Sequence, residues 1–241
     1  MALKIIEAKL PFKKTLMIAL LSSGLSSFAQ QKNLPDLGNW TMFFGQVRFH
    51  DKWSIHAEAQ HRDYGLLSEP EQILLRGGLN YHISPNAVAT AGYGRITNYQ
   101  LDDDVIQTPS TSENRVWQQV LLRNNFGRFF LEHRYRLEQR WIKSNNSERY
   151  LDRARYLMRV SIPVTSKEIE KNSLFLSFYD EVFIHFTSTP FDRNRLYGAI
   201  AYQLAPNANV QLGYLAQTVN NTTKSYLQTA VNYTLDLRKK R

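Results

Sequence analysis

Residues 129–141 read FFLEHRYRLEQRW, with Glu132, Arg134, Arg136, Glu138 and Arg140 at every second position. That spacing collects the charges on one face of a β-strand and leaves Phe129, Leu131, His133, Tyr135, Leu137, Gln139 and Trp141 on the other. On a helix the same charges would spread around the circumference and leave no apolar stripe. The stretch 151–163 repeats the alternation, with Arg153, Arg155 and Arg159 opposite Ala154, Tyr156, Met158, Val160 and Ile162. If the two form a hairpin, one register sets Glu132 against Arg159, Glu138 against Arg153 and Arg136 against Arg155. Sliding it by two residues keeps only Glu138 with Arg155 and faces Arg134 with Arg159 and Arg140 with Arg153, so charge selects the first. Glu58, Arg62, Arg76, Arg115, Arg123 and Arg195 fall on polar faces of other alternating stretches. Two chemistries follow. Paired charges can plug an interior as scaffolding, or surplus guanidiniums can line a narrow water-filled path that favours anions, since the Arg fork donates two parallel hydrogen bonds to carboxylate or phosphate.

Nucleophilic chemistry is the rival reading, in the form of an outer-membrane lipid hydrolase or acyltransferase using His with Ser and a carboxylate. His56 and His82 lie on polar faces and are ordinary interior residues. His133 lies on an apolar face, where an interface position or a neighbouring side chain would accommodate it. No Gly-x-Ser-x-Gly, His-Glu-x-x-His or phosphate loop occurs, so no catalytic residue is expected. No metal and no cofactor are expected either. His50, His56 and His61 cluster with Asp51, Glu58 and Asp63, but His56 and His61 point to opposite faces of a strand. Asp102, Asp103 and Asp104 read as a solvated loop tip rather than a cation site bridging lipopolysaccharide.

The elements that must carry these residues are strands throughout. Period-two alternation marks eleven: 39–49, 53–62, 75–83, 87–99, 114–124, 129–141, 151–163, 173–186, 194–204, 209–218 and 225–237. Short turns at 50–52, 84–86, 125–128 and 205–208 and polar loops at 64–71, 100–113 and 142–150 separate them. The adjacent charges Asp180 and Glu181 raise the expectation of a bulge. Ahead of the strands, Lys13-Lys14, an apolar run from Leu16 to Leu25 and Ser27-Phe28-Ala29 form a secretory leader, with cleavage expected after Ala29. That leaves 30–241 as one domain. Removing Lys4, Glu7, Lys9, Lys13 and Lys14 lowers the formal charge from +9 to +6. Export argues against nucleic acid as the partner of a basic chain, and the absence of cysteine excludes disulfides and thiolate metal sites.

Size decides which face looks inward. Ten to twelve tilted strands enclose a radius of roughly 10–12 Å. Short aliphatic side chains cannot fill that space, whereas Arg, Glu, Gln and Tyr can. The aliphatic faces, with Trp53, Tyr81, Trp141, Tyr156, Tyr214 and Tyr233 near strand ends, then form a lipid-facing band with aromatic girdles. A secreted soluble β-barrel or sandwich is the alternative, with the faces reversed. FFLEHRYRLEQRW, NRVWQQVLLR, FYDEVF and DRNRLYGAIAYQLAPNANVQLGYL resemble the family called Domain of Unknown Function twenty-four-ninety, over about Gly38 to Leu237. The resemblance implies a small outer-membrane β-barrel of Gram-negative bacteria, with lipid, lipopolysaccharide and the barrel-assembly machinery as partners, and no established activity. Small anions enter as partners only through the porin-like reading. Many such barrels end on an aromatic residue, whereas this chain ends Leu237-Arg238-Lys239-Lys240-Arg241. The expectation is therefore a closed, antiparallel, up-and-down transmembrane β-barrel. Because closed bacterial barrels usually have an even strand count, it should hold about twelve strands, or ten, rather than eleven.

Overall fold

The computed structural model describes residues 37–238 apart from 67–68, 103–104, 107–108 and 187–189. The leader read from the sequence lies outside the described residues. Every regular element is a strand: β1 (Leu37–Arg48), β2 (Trp53–Asp63), β3 (Pro70–Ser84), β4 (Ala87–Asn98), β5 (Leu101–Asp102), β6 (Val105–Ile106), β7 (Thr111–Phe126), β8 (Phe129–Ser144), β9 (Ser147–Pro163), β10 (Leu174–His185), β11 (Phe191–Ala205), β12 (Ala208–Val219) and β13 (Thr222–Asp236). All but β5 and β6 join one closed barrel, in the order β1-β13-β12-β11-β10-β9-β8-β7-β4-β3-β2. Each neighbouring pair is antiparallel except the seam, where β1 and β13 run parallel from Leu37↔Ser225 to Arg48↔Asp236.

Two expectations are corrected by this topology. The wall holds eleven strands, neither ten nor twelve, and it is not wholly antiparallel. The cause is parity: in an up-and-down chain with an odd count, the first and last strands point the same way, so closure can only be parallel. The polar stretch 100–113 is not all loop, because β5 and β6 pair as a two-residue ladder within it. The stretch 142–150 shrinks to a tight turn, since β8 and β9 stay paired out to Ser144↔Ser147.

Tight connections exploit local backbone chemistry. Asn220 and Asn221 both take positive φ, at 47° and 62°, the signature of a type I′ hairpin, which Asn tolerates. Gly127, at φ 57°, turns β7 into β8. Asp180 and Glu181 need no bulge, for they simply face opposite sides: Glu181 is buried, while Asp180 is exposed and accepts a hydrogen bond from Asn194 Nδ2 at 2.6 Å. The bulge in this hairpin falls two residues later, between Phe183 and Ile184.

Alternation sorts every long strand into an inner and an outer row. Inner rows carry Glu58, Arg62, Arg76, Arg115, Arg136, Glu138, Arg153, Arg155 and Glu181, all buried. Outer rows carry Phe43, Ile55, Leu75, Leu79, Val120, Leu137, Met158, Phe178, Leu196, Ile200, Leu212 and Val231, all exposed. The interior is not charged all round. Trp40, Leu157, Tyr179, Tyr197, Leu215 and Tyr226 pack into an inward apolar cluster from β1 and β9–β13. Large aromatic and aliphatic side chains thus fill the side of the lumen that the charges leave.

Candidate functional site in the charged lumen

The β8–β9 hairpin fixes the geometry of the ladder. Its observed register pairs Glu132 with Arg159, Arg136 with Arg155 and Glu138 with Arg153, the one that charge complementarity selects. Glu138 is fully buried and accepts from Arg115 at 3.2 Å, from Arg153 at 3.1 and 2.6 Å, and from Arg155 at 2.6 Å. Arg76, three strands away across the sheet on β3, places Nη1 3.7 Å from the same carboxylate. Arg76 also donates to Glu58 through Nε at 3.1 Å and Nη2 at 2.5 Å. Arg155 continues the chain to Glu181, which also takes Arg134 at 2.7 Å. Arg140 closes it at one end by a two-point contact with Glu113, 2.9 Å through each nitrogen. Reach explains the choice of residues: only long forked side chains can tie together carboxylates on strands that are not neighbours.

Trp117 forms the floor of this network. Its ring is fully buried, with the guanidiniums of Arg136 and Arg76 at 4.9 and 5.4 Å from its centroid. Trp117, Glu58, Glu138 and Glu181 are each no more than 4% exposed, and the barrel also holds two cavities that share no lining residue. One, of about 400 Å³, is lined by Gln46, His56, Arg123, Glu132 and Arg159 among others. Here Glu132 accepts from Arg123 at 3.2 Å and Arg159 at 3.4 Å, both in half-open surroundings. The other, of about 260 Å³, lies toward the opposite end of the barrel. Nine of its lining residues are arginines (Arg62, Arg76, Arg115, Arg140, Arg149, Arg153, Arg155, Arg193 and Arg195), against one carboxylate, Glu113.

All the charges singled out by alternation therefore lie on inner rows, but they divide between two cavities and a buried set that includes Glu58, Arg136 and Glu138. Sequence reasoning passed over Glu113, Asp192 and Arg193 and left the facing of Glu181 open. Glu113 sits two residues before Arg115 and would have been found had β7 been extended to its true start. Asp192 takes Arg153 at 2.5 Å and Arg193 at 3.1 Å, yet it lies before the stretch that alternation marks. Trp40 and Phe183 were also missed, although guanidiniums stack on both: Arg62 at 3.9 Å from the Trp40 ring centre, and Arg155 at 4.3 Å and Arg195 at 4.7 Å from that of Phe183.

The histidines have mundane surroundings. His133 points outward, where its Nδ1 lies 2.9 Å from the Tyr156 hydroxyl. Tyr156 itself sits at mid-strand beside Tyr135, not near a strand end. His56 lies 3.3 Å from Glu58, inside, and His61 lies 2.7 Å from Asp63 on the other face. The sequence did not suggest a Ser–His contact, but Ser54 Oγ lies 2.9 Å from His82 Nε2. Ser54 is fully buried and also accepts from Gln46 and Asn80, an arrangement that makes it a hydrogen-bond junction rather than an exposed nucleophile. Of the Asp102–Asp104 run, Asp102 ends β5, and the other two lie outside the described residues.

A closed β-barrel with an apolar outer wall and a guanidinium-rich interior is the class that fold and site define. Residues 37–228 match the family model described as "Protein of unknown function (DUF2490)". The chain belongs to that family. It is also 24% identical over 207 residues to an uncharacterised protein of Methylorubrum extorquens, an alignment covering 83% of this chain and 86% of that one. No solved structure matches it.

Proposed function

We propose that this chain is an exported outer-membrane β-barrel whose lumen is shut at mid-height, rather than an open porin-like channel or an enzyme. The observation that carries the reading is the sorting of the rows. Soluble proteins rarely leave contiguous apolar patches beyond a few hundred Å² in water, whereas here the outer row of strand after strand is exposed Phe, Leu, Ile, Val and Tyr. A bilayer removes that cost, and a hydrogen-bonded ring leaves no strand edge unpaired in hydrocarbon. Lipid and lipopolysaccharide would then surround the wall, and the barrel-assembly machinery would insert it. Glu138, Arg155, Glu181 and Trp117 are all buried and the two cavities share no lining residue, which supports a blocked interior.

Two measurements test this reading. Fractionation should find the protein in outer membranes, resistant to carbonate extraction, and the refolded barrel should give no stable unitary current in planar bilayers. Recovery in the soluble periplasmic fraction would refute the membrane reading. Steady anion-selective steps would refute the plug in favour of the conducting alternative.

A further inference from the structure

Charge in the lumen does not balance. Following ion pairs no longer than 4 Å from Glu138 outward, among the described residues, collects Arg76, Arg115, Arg134, Arg136, Arg140, Arg153, Arg155, Arg193 and Arg195. Against these nine guanidiniums stand five carboxylates, Glu58, Glu113, Glu138, Glu181 and Asp192. Arg62 lines the same cavity with no carboxylate of the described residues within ion-pair distance, and its Nη2 donates to Gln60 at 2.6 Å. The nearby Glu71 brings its own partners, Tyr226 at 3.3 Å and Lys224 at 3.9 Å. Unlike a buried lysine, an arginine cannot shed its charge at neutral pH, and a buried charge without a counter-charge is costly.

The surplus is concentrated where there is room. Arg62, Arg76 and Arg195 are each 7–8% exposed and line the 260 Å³ cavity. Arg62 Nε and Arg76 Nη1 are buried donors with no hydrogen-bond partner among the described residues. Arg195 spends Nε on Gln217 at 2.8 Å and holds Nη1 3.8 Å from Glu181, too far for a hydrogen bond. Trp40 backs both Arg62 and Arg195, at 3.9 and 4.8 Å, fixing the planes of the two forks. Unused donors on pre-oriented forks, in a cavity of about 260 Å³ lined by nine arginines, suit a compact oxyanion with two or more charges. Chloride would use no fork geometry, and a cavity of about 260 Å³ is too small for a long polymer.

We infer that the arginine-lined cavity is a binding site for a phosphate-class polyanion, held by Arg62, Arg76 and Arg195, and that this ligand supplies the missing counter-charge. The inference needs the barrel interior but not its membrane location, so binding in micelles can succeed or fail independently of the fractionation result.

The test uses the full chain refolded in phosphate-free maltoside micelles at low salt and titrated with inorganic pyrophosphate by calorimetry. One saturable site is expected. Arg62→Gln/Arg195→Gln should weaken it at least tenfold, and Arg123→Gln, at the other end of the barrel, should leave it unchanged. Arg62→Lys keeps the charge but loses the fork, so it should bind several-fold more weakly while folding normally, a readout that survives if the double variant does not fold. A second arm places the protein in nanodiscs with phosphatidic acid and no free anion. Stabilisation there, dependent on Arg62, without pyrophosphate binding would make a lipid phosphomonoester the source. No binding in either arm, or equal binding by wild type and the double variant, overturns the site.

Discussion

Glu138 and Glu132 share a strand and a face but not an environment, so the ladder should respond very differently to their loss. Glu138 is sealed from solvent and serves Arg115, Arg153 and Arg155 at once. Glu132 keeps 19% of its side chain exposed, and its partners Arg123 and Arg159 keep 49% and 29%. Removing one partner of a buried ion pair strands the others and costs about 3–5 kcal/mol, whereas a solvated pair contributes about 0–1 kcal/mol. Glu138→Ala should therefore lower unfolding stability in lipid vesicles by several kcal/mol, and Glu132→Ala by about 1 kcal/mol or less. Urea titration followed by tryptophan fluorescence measures both, and equal losses would mean that the buried carboxylate does not organise the lumen. The two-residue rhythm alone shows that these charges share a face. It does not show which of them is dry, because burial here depends on strands β3 and β10 that are remote in sequence.

At the scale of elements, β4 explains itself only through its neighbour β7. Apart from Tyr93, residues 87–94 are Ala, Val, Thr and Gly. Inside the barrel they form the recess that takes the Trp117 ring. A Cβ at Gly92 would lie 2.2 Å from the Gly77 carbonyl oxygen and 2.6 Å from Trp117, while one at Gly94 would meet nothing nearer than 3.3 Å. Gly92→Ala should thus cost about 1–3 kcal/mol through overpacking, and Gly94→Ala should be close to neutral because Ala suits a strand better than Gly. A thermal or urea midpoint that falls equally in both would remove Trp117 from the plug. The eleven strands themselves were legible, since alternation against a wet or lipid-facing exterior survives in every one. Register in the β8–β9 hairpin was legible too, because it had charges to match. The ends of β8 and β9 were not: Asn145, Asn146 and Ser147 have loop chemistry, but the strands stay paired right up to the turn. Nor was the apolar half of the interior, for Trp40, Leu157 and Leu215 look from the sequence like outer-wall residues and are told apart only by phase and by the closure of the ring.

For the whole molecule the decisive property is the odd number of strands. Evenness was the sequence expectation because closed bacterial barrels usually have an even strand count, and no single strand carries information about how the ring is sealed. With eleven, the parallel β1–β13 seam sets the start of β1 and the end of β13 at opposite ends of the barrel. The β1–β2, β3–β4, β7–β8 and β11–β12 turns lie at the end where β13 finishes. The β8–β9 and β12–β13 turns lie at the other, near the arginine-lined cavity. The chain contains no cysteine, so single substitutions report sidedness without background. In intact cells, Asp51→Cys, Gly127→Cys and Asn207→Cys should react alike with a membrane-impermeant maleimide. Asn146→Cys and Asn221→Cys should give the opposite result, and all five should react after lysis. If the barrel spans an outer membrane as proposed, the set that labels in intact cells also says whether the guanidinium cavity faces the medium or the periplasm. Labelling of both sets from one side would rule out this barrel spanning a bilayer with a parallel seam, because no ring of eleven up-and-down strands can bring those turns to the same surface.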